Sequence, residues 1–183
     1  MMSIELKRFS VKEISFLAIL AALLVLLSAT TMPLMTITLY GLRNMANALF
    51  YGFFAMIALM KIRKPGAATL LCMFSATVLL LMSPVMFFNN IISALIAELI
   101  SLLIFKNYRQ EKAMILSAGL IIPITLPMTI VFGMLINRQR FSEIVDQSWL
   151  ILPIIAGTFL LSFTGAFLGR KIGHELKKAG KLS

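Results

Sequence analysis

Residues 83–112 read SPVMFFNNIISALIAELISLLIFKNYRQEK. From Val85 to Phe105 this stretch is almost continuously apolar, and crossing a hydrocarbon core of about 30 Å takes about 20 helical residues. The Ser83-Pro84 break bounds it on one side, and Lys106, Arg109 and Lys112 bound it on the other. An apolar run of that length, stopped by a basic cluster, is a membrane helix. Its most polar interruptions, Asn89, Asn90 and Glu98, are costly in lipid and must face protein or water.

The same pattern repeats outward in both directions. Apolar segments run over Ile14–Thr30, Met45–Met60, Ala67–Met82, Val85–Phe105, Ala113–Ile136 and Trp149–Leu168. The expected fold is therefore all-α: one membrane domain over residues 1–183, built as a bundle of six transmembrane helices. The second and third segments are short, either crossing a thin part of the bundle or including irregular backbone that lines a cavity. Only Ser83-Pro84 separates the third from the fourth, so those two are expected to form a tight helical hairpin. The first segment lacks a small-residue cleavage site and reads as a retained span.

Of 183 residues, 60% are hydrophobic and 13% are charged, against about 25% charged in soluble domains. The net charge of +10 is not a nucleic-acid footprint, because the basic residues lie in short clusters between spans. Lys7, Arg8 and Lys12 form one cluster, Lys61, Arg63 and Lys64 a second, and Lys106, Arg109 and Lys112 a third. Arg170, Lys171, Lys177, Lys178 and Lys181 form the last. Six crossings put these fourteen on one side and leave only Arg43, Arg138 and Arg140 on the other. Positive charge stays in the cytoplasm, so both termini are expected there, in a multi-pass protein of the plasma membrane.

Catalytic material is sparse. No GxxxxGK[ST] is present, so this chain has no P-loop for ATP. Cys72 is the only cysteine and His174 the only histidine, which leaves no Cys/His set for a metal and no disulfide. Neither a catalytic nor a metal residue can be nominated.

Two external segments invite a ligand instead. Thr31–Asn44 (TMPLMTITLYGLRN) is apolar for a loop, and Thr36–Tyr40 alternates like a short strand or lid. Asn137–Ser148 is the longest polar stretch outside, and long loops on a compact scaffold often carry function. Tyr40 and Phe141, one on each loop, are placed to cover a ligand. Arg43 and Asn44 open the second span; the guanidinium suits a carboxylate or phosphate or can snorkel to lipid headgroups. Asn89 and Asn90 either bind a solute or serve the structure, capping the turn or bridging helices. Glu98 lies about 12 Å deeper than Asn90 at 1.5 Å per residue, which favours an interhelical or coupling role. Trp149 reads as an interfacial anchor. On the first span, Ala18 and Ala22 share one face, a small-xxx-small groove that lets a partner helix approach closely.

Three stretches carry a family resemblance: Lys61–Leu70 (KIRKPGAATL), Ala94–Leu99 (ALIAEL) and Gly165–Leu182 (GAFLGRKIGHELKKAGKL). With six short spans and the AxxxA-type first helix, the chain resembles the substrate-specificity (S) components of energy-coupling factor (ECF) transporters. More closely it resembles the MptD/Trep_Strep-like branch. The resemblance implies six helices around an outward-opening pocket, roofed by the loop after the first helix. It implies one transmembrane coupling protein, docked through Ala18 and Ala22, and two cytoplasmic ATPases that use ATP in place of this chain. The cargo so implied is a vitamin-type molecule, either a tetrapyrrole such as cobalamin or haem or a smaller vitamin or precursor. The dense Trp/His/Glu pocket features of thiamine and biotin S components are absent from the sequence. Two other classes stay open: a small membrane-embedded enzyme, and an assembly factor without a ligand.

Overall fold

The structure is a computed structural model and describes residues 8–36, 41–81, 83–108, 110–136, 138 and 148–180. Six α-helices account for nearly all of them: α1 (Val11–Ala29), α2 (Leu42–Lys61), α3 (Ala67–Leu80), α4 (Pro84–Phe105), α5 (Glu111–Ile136) and α6 (Ser148–Lys178). No strand occurs among the described residues. Met32–Thr36 forms a single turn of 3-10 helix, so Thr36 does not start the strand expected there. The rest of that expected strand, Ile37 to Tyr40, lies outside the described residues.

Five of the helices are long and apolar enough to cross a membrane; α3, with 14 residues, is shorter. At 1.5 Å per residue α3 measures about 21 Å, less than the roughly 30 Å core. Its tight connection to α4 is the expected one. Ser83 sits in extended backbone as the N-cap and Pro84 enters the first turn of α4, where a missing N–H is harmless.

Two of the departures of helix ends from the hydropathy boundaries bear on charged residues. The second helix begins at Leu42, so Arg43 and Asn44 lie inside it. The sixth has 31 residues and continues about ten residues past Leu168. Backbone hydrogen bonding sets a helix end, and the GRKIGHELKK segment keeps helical bonding after leaving the apolar zone. Charge pairs hold this extension. Arg170 Nε donates to Glu111 Oε2 at 2.6 Å, His174 Nε2 lies 3.0 Å from Glu111 Oε1, and Lys178 pairs with Glu175 at 3.0 Å.

Polarity is inverted relative to a soluble bundle. Leu103, Leu135, Leu152 and Leu160 stand exposed, whereas Asn89, Asn90, Ser93, Glu98, Ser101 and Ser117 are buried. Apolar tails outside and paired polar groups inside suit a lipid solvent.

The most extensive helix–helix contact joins α2 and α6. Small residues make it possible. A Cβ on Gly165 would collide with the Leu49 carbonyl oxygen, one on Gly169 with that of Phe53, and one on Gly52 with that of Ser162. Backbone therefore rests on backbone along a glycine seam, as in close membrane-helix pairs. Gly41, which caps α2 at φ 77°, is also confined by Leu126 and Ile154.

One end of the bundle gathers the starts of α1, α3 and α5 with the ends of α2, α4 and α6, and it carries the basic clusters. There Lys64 donates to Glu13 Oε2 at 2.7 Å and to the Arg8 carbonyl at 3.0 Å. Ser10 and Glu13 close a capping box on α1.

Glu98 also lies toward this basic end and is 3% exposed. It accepts from Ala68 N at 3.1 Å and Thr69 Oγ1 at 2.6 Å, so one carboxylate caps the first turn of α3 from across the bundle. The Tyr108 hydroxyl lies 3.4 Å away; burial pushes that phenol up, so it keeps its proton. Replacing Glu98 by alanine strands at least two donors, at about 1–3 kcal/mol each. The expected loss is about 5–10 °C of melting temperature in detergent for Glu98→Ala, with Glu98→Gln in between. An unchanged melting curve would remove the capping role.

Candidate functional site

At the opposite end a polar layer runs across the bundle, organised around the first half of α2. Arg43, Asn47 and Tyr51 recur every four residues and so share one face, while Asn44 sits on the adjacent one. Each points to a different neighbour. Asn44 Nδ2 donates to Thr125 Oγ1 on α5 at 3.1 Å. Asn47 Oδ1 accepts from Thr31 Oγ1, beyond the end of α1, at 2.8 Å. The Tyr51 hydroxyl accepts from Asn90 Nδ2 at 2.9 Å.

Asn89 and Asn90 are neighbours in sequence but not in role, because consecutive helical residues point about 100° apart. Asn89 turns to α5: its Nδ2 donates to Thr129 Oγ1 at 2.8 Å and to the Thr125 carbonyl at 3.3 Å, and its Oδ1 accepts from Ser93 at 3.3 Å. Asn90 turns to α2 and α3, reaching Tyr51 and, at 3.5 Å, Ser75 Oγ. Of the two structural roles expected for the pair, both asparagines bridge helices, a full turn or more beyond the Ser83-Pro84 turn.

The layer is well paired apart from a few atoms. Arg43 Nε and Asn90 Oδ1 are buried without a hydrogen-bond partner among the described residues, as is Ser28 Oγ near the end of α1. Asn90 is 5% exposed, and buried polar atoms are paired in about nine cases of ten or more. A buried Nε also sets Arg43 apart from a side chain that snorkels fully to headgroups.

The structure thus brings Arg43, Asn44, Asn89 and Asn90 into one layer. Tyr40 and Phe141 lie outside the described residues. Glu98 stands apart at the other end. Asn47, Tyr51, Ser75, Thr125 and Thr129 belong to the layer and were not singled out from sequence; the four-residue spacing of Arg43, Asn47 and Tyr51 was the signal available. Ala18 and Ala22 are both exposed on α1, away from its buried face of Leu17, Leu20, Ala21 and Leu24. Among the described residues no group of three or more His, Cys, Asp or Glu could hold a metal ion.

Comparison with known proteins places this architecture. No curated protein matches the chain. A crystal structure of an S-component of an ECF transporter is similar to it with a TM-score of 0.68 over 96% of this chain and 89% of that one, at 16% identity. That likeness establishes a shared all-helical fold. A family model described as "Hypothetical bacterial integral membrane protein (Trep_Strep)" matches residues 11–147, most of the length. The chain belongs to the Trep_Strep family of bacterial integral membrane proteins.

Proposed function

We propose that the chain is the substrate-binding subunit of an ATP-driven importer of the ECF type. It loads a vitamin-type small molecule from outside and delivers it inward with a transmembrane coupling protein and two cytoplasmic ATPases. It is a carrier subunit and not an enzyme, and ATP is consumed by its partners. The observation that carries this reading is the polar layer. A bundle with the fold of an S-component holds buried, unpartnered polar atoms on Arg43 and Asn90 at one end, and basic clusters at the other. The ligand contacts proposed are Arg43, Asn44, Asn89 and Asn90, with Tyr40 and Phe141 covering the ligand from their loops. Ala18 and Ala22 dock the coupling protein. The basic end faces the cytoplasm together with both termini, as the positive-inside rule requires.

Co-expression with an ECF coupling protein and its ATPases tests this. The tagged chain is expected to retain all three through detergent purification, and ATP hydrolysis should occur only in the complex. A cysteine at Thr30 should react with an impermeant maleimide on intact cells while one at Gly180 should not. A chain that purifies alone from such cells, or the reversed labelling pattern, contradicts the reading.

A further inference from the structure

The charges in the described bundle are sorted by end. Its four carboxylates, Glu13, Glu98, Glu111 and Glu175, all lie toward the basic end. All four meet partners there: Glu13 pairs with Lys64, Glu111 with Arg170, Glu175 with Lys178, and Glu98 caps α3. The polar layer at the other end holds hydroxyls, amides and one guanidinium, with no carboxylate among the described residues. A cation at membrane depth is expensive unless an opposite charge joins it. Arg43 Nε is buried there without an acceptor among the described residues.

The second unpartnered atom fixes the other half of the ligand. Ser75 Oγ donates its proton to the Cys72 carbonyl at 3.0 Å, so it can only accept from Asn90. In this arrangement the amide nitrogen of Asn90 donates to the Tyr51 hydroxyl and to Ser75 Oγ, and Oδ1 has no partner among the described residues. Only a donor can satisfy that oxygen. Arg43 and Tyr51 are two turns apart on α2, about 12 Å along the axis, and that is the distance a ligand touching both would cover.

We infer that the ligand of this layer is a small acid that also carries a hydrogen-bond donor. A carboxylate or phosphate oxygen meets the Nε–H of Arg43, and an N–H or O–H of the same molecule meets Asn90 Oδ1. This rests on the layer being the importer's binding site. It goes further by setting the substrate's charge: an anion offsets the Arg43 guanidinium, whereas cationic cargo would add to it.

The test uses the purified chain and matched pairs differing in the acid alone. Biotin is compared with its methyl ester, pantothenate with pantothenol, and riboflavin 5′-phosphate with riboflavin, with thiamine as the cationic control. The first two pairs report a carboxylate and the third a phosphate. At least one acid is expected to bind about 10- to 100-fold more tightly than its neutral partner, the range of a charge-assisted hydrogen bond. Arg43→Gln should bring that ratio close to one, with Arg43→Lys restoring part of it. An equal or tighter neutral partner, binding of thiamine, or stabilisation by no acid at millimolar concentration overturns the inference. So does a ratio unchanged in Arg43→Gln. Association with the coupling protein does not depend on ligand charge, so the importer reading can stand when this one fails.

Discussion

Gly165→Ala is expected to leave little or no folded protein, although it adds a single methyl group. The new Cβ would occupy the space of the Leu49 carbonyl oxygen, and backbone cannot rotate aside as a side chain can. The helices α2 and α6 would have to separate along the whole seam, giving up contacts at Gly52 and Gly169 as well. Overpacking a tight site usually costs about 1–3 kcal/mol and more where nothing yields. The expected result is a melting temperature lowered by more than about 10 °C, or an aggregated elution profile. Gly157→Ala supplies the contrast. Its Cβ would meet mainly the sulfur of Met45, a flexible thioether that can move, so a shift within about 3 °C is expected. Equal melting of the two variants would mean that the backbones are not in contact at Gly165. Because α2 also carries Arg43, Asn47 and Tyr51, loosening this seam should weaken ligand binding in whatever Gly165→Ala protein survives.

Reading the sequence for hydropathy finds apolar zones, and this fold shows where helices and zones part. Arg43 and Asn44 look like the end of a loop because lipid would reject them, yet they lie inside α2, where Thr125 and the rest of the layer shelter them. Arg170 and Glu175 look like a tail, yet α6 continues through them because Glu111 and the local i,i+3 pair with Lys178 satisfy their charges. In both cases tertiary partners make helical backbone affordable where composition alone argues against it. The site divides along the same line. Asn89, Asn90 and Arg43 announce themselves because no lipid-facing position tolerates them cheaply. Ser75, Thr125 and Thr129 do not, since a hydroxyl can bond its own helix and pass unnoticed in an apolar run, as Thr125 does with the Ile122 carbonyl at 2.7 Å. Gly165, Gly169 and Gly173 recur every four residues on α6, and the facing α2 stripe offers Ala48 and Gly52 at the same spacing, a weak signal because alanine is common in apolar helices.

A second large effect is expected on the outside of α1. Ala18→Leu and Ala22→Leu add bulk to an exposed face, whereas Leu17, Leu20, Ala21 and Leu24 make the interior contacts. Nothing inside the bundle has to move, so the melting temperature should stay within about 2 °C, as surface changes usually do. Ligand affinity of the isolated chain should stay within about twofold, because the polar layer rests mainly on α2, α4 and α5 and touches α1 only at its far end. The partner helix, in contrast, can no longer approach at small-residue distance. A separation of even 1 Å at a close-packed seam forfeits a quarter to a half of each van der Waals contact along it. Uptake by the assembled transporter should therefore fall more than about tenfold, together with recovery of the coupling protein in pull-downs. The double variant should behave like either single one, since one obstruction already holds the seam open. Loss of ligand binding in step with uptake would place Ala18 and Ala22 in the internal packing. Full uptake in both variants would move the docking surface to another face of the bundle, where Leu103, Leu152 and Leu160 also stand exposed.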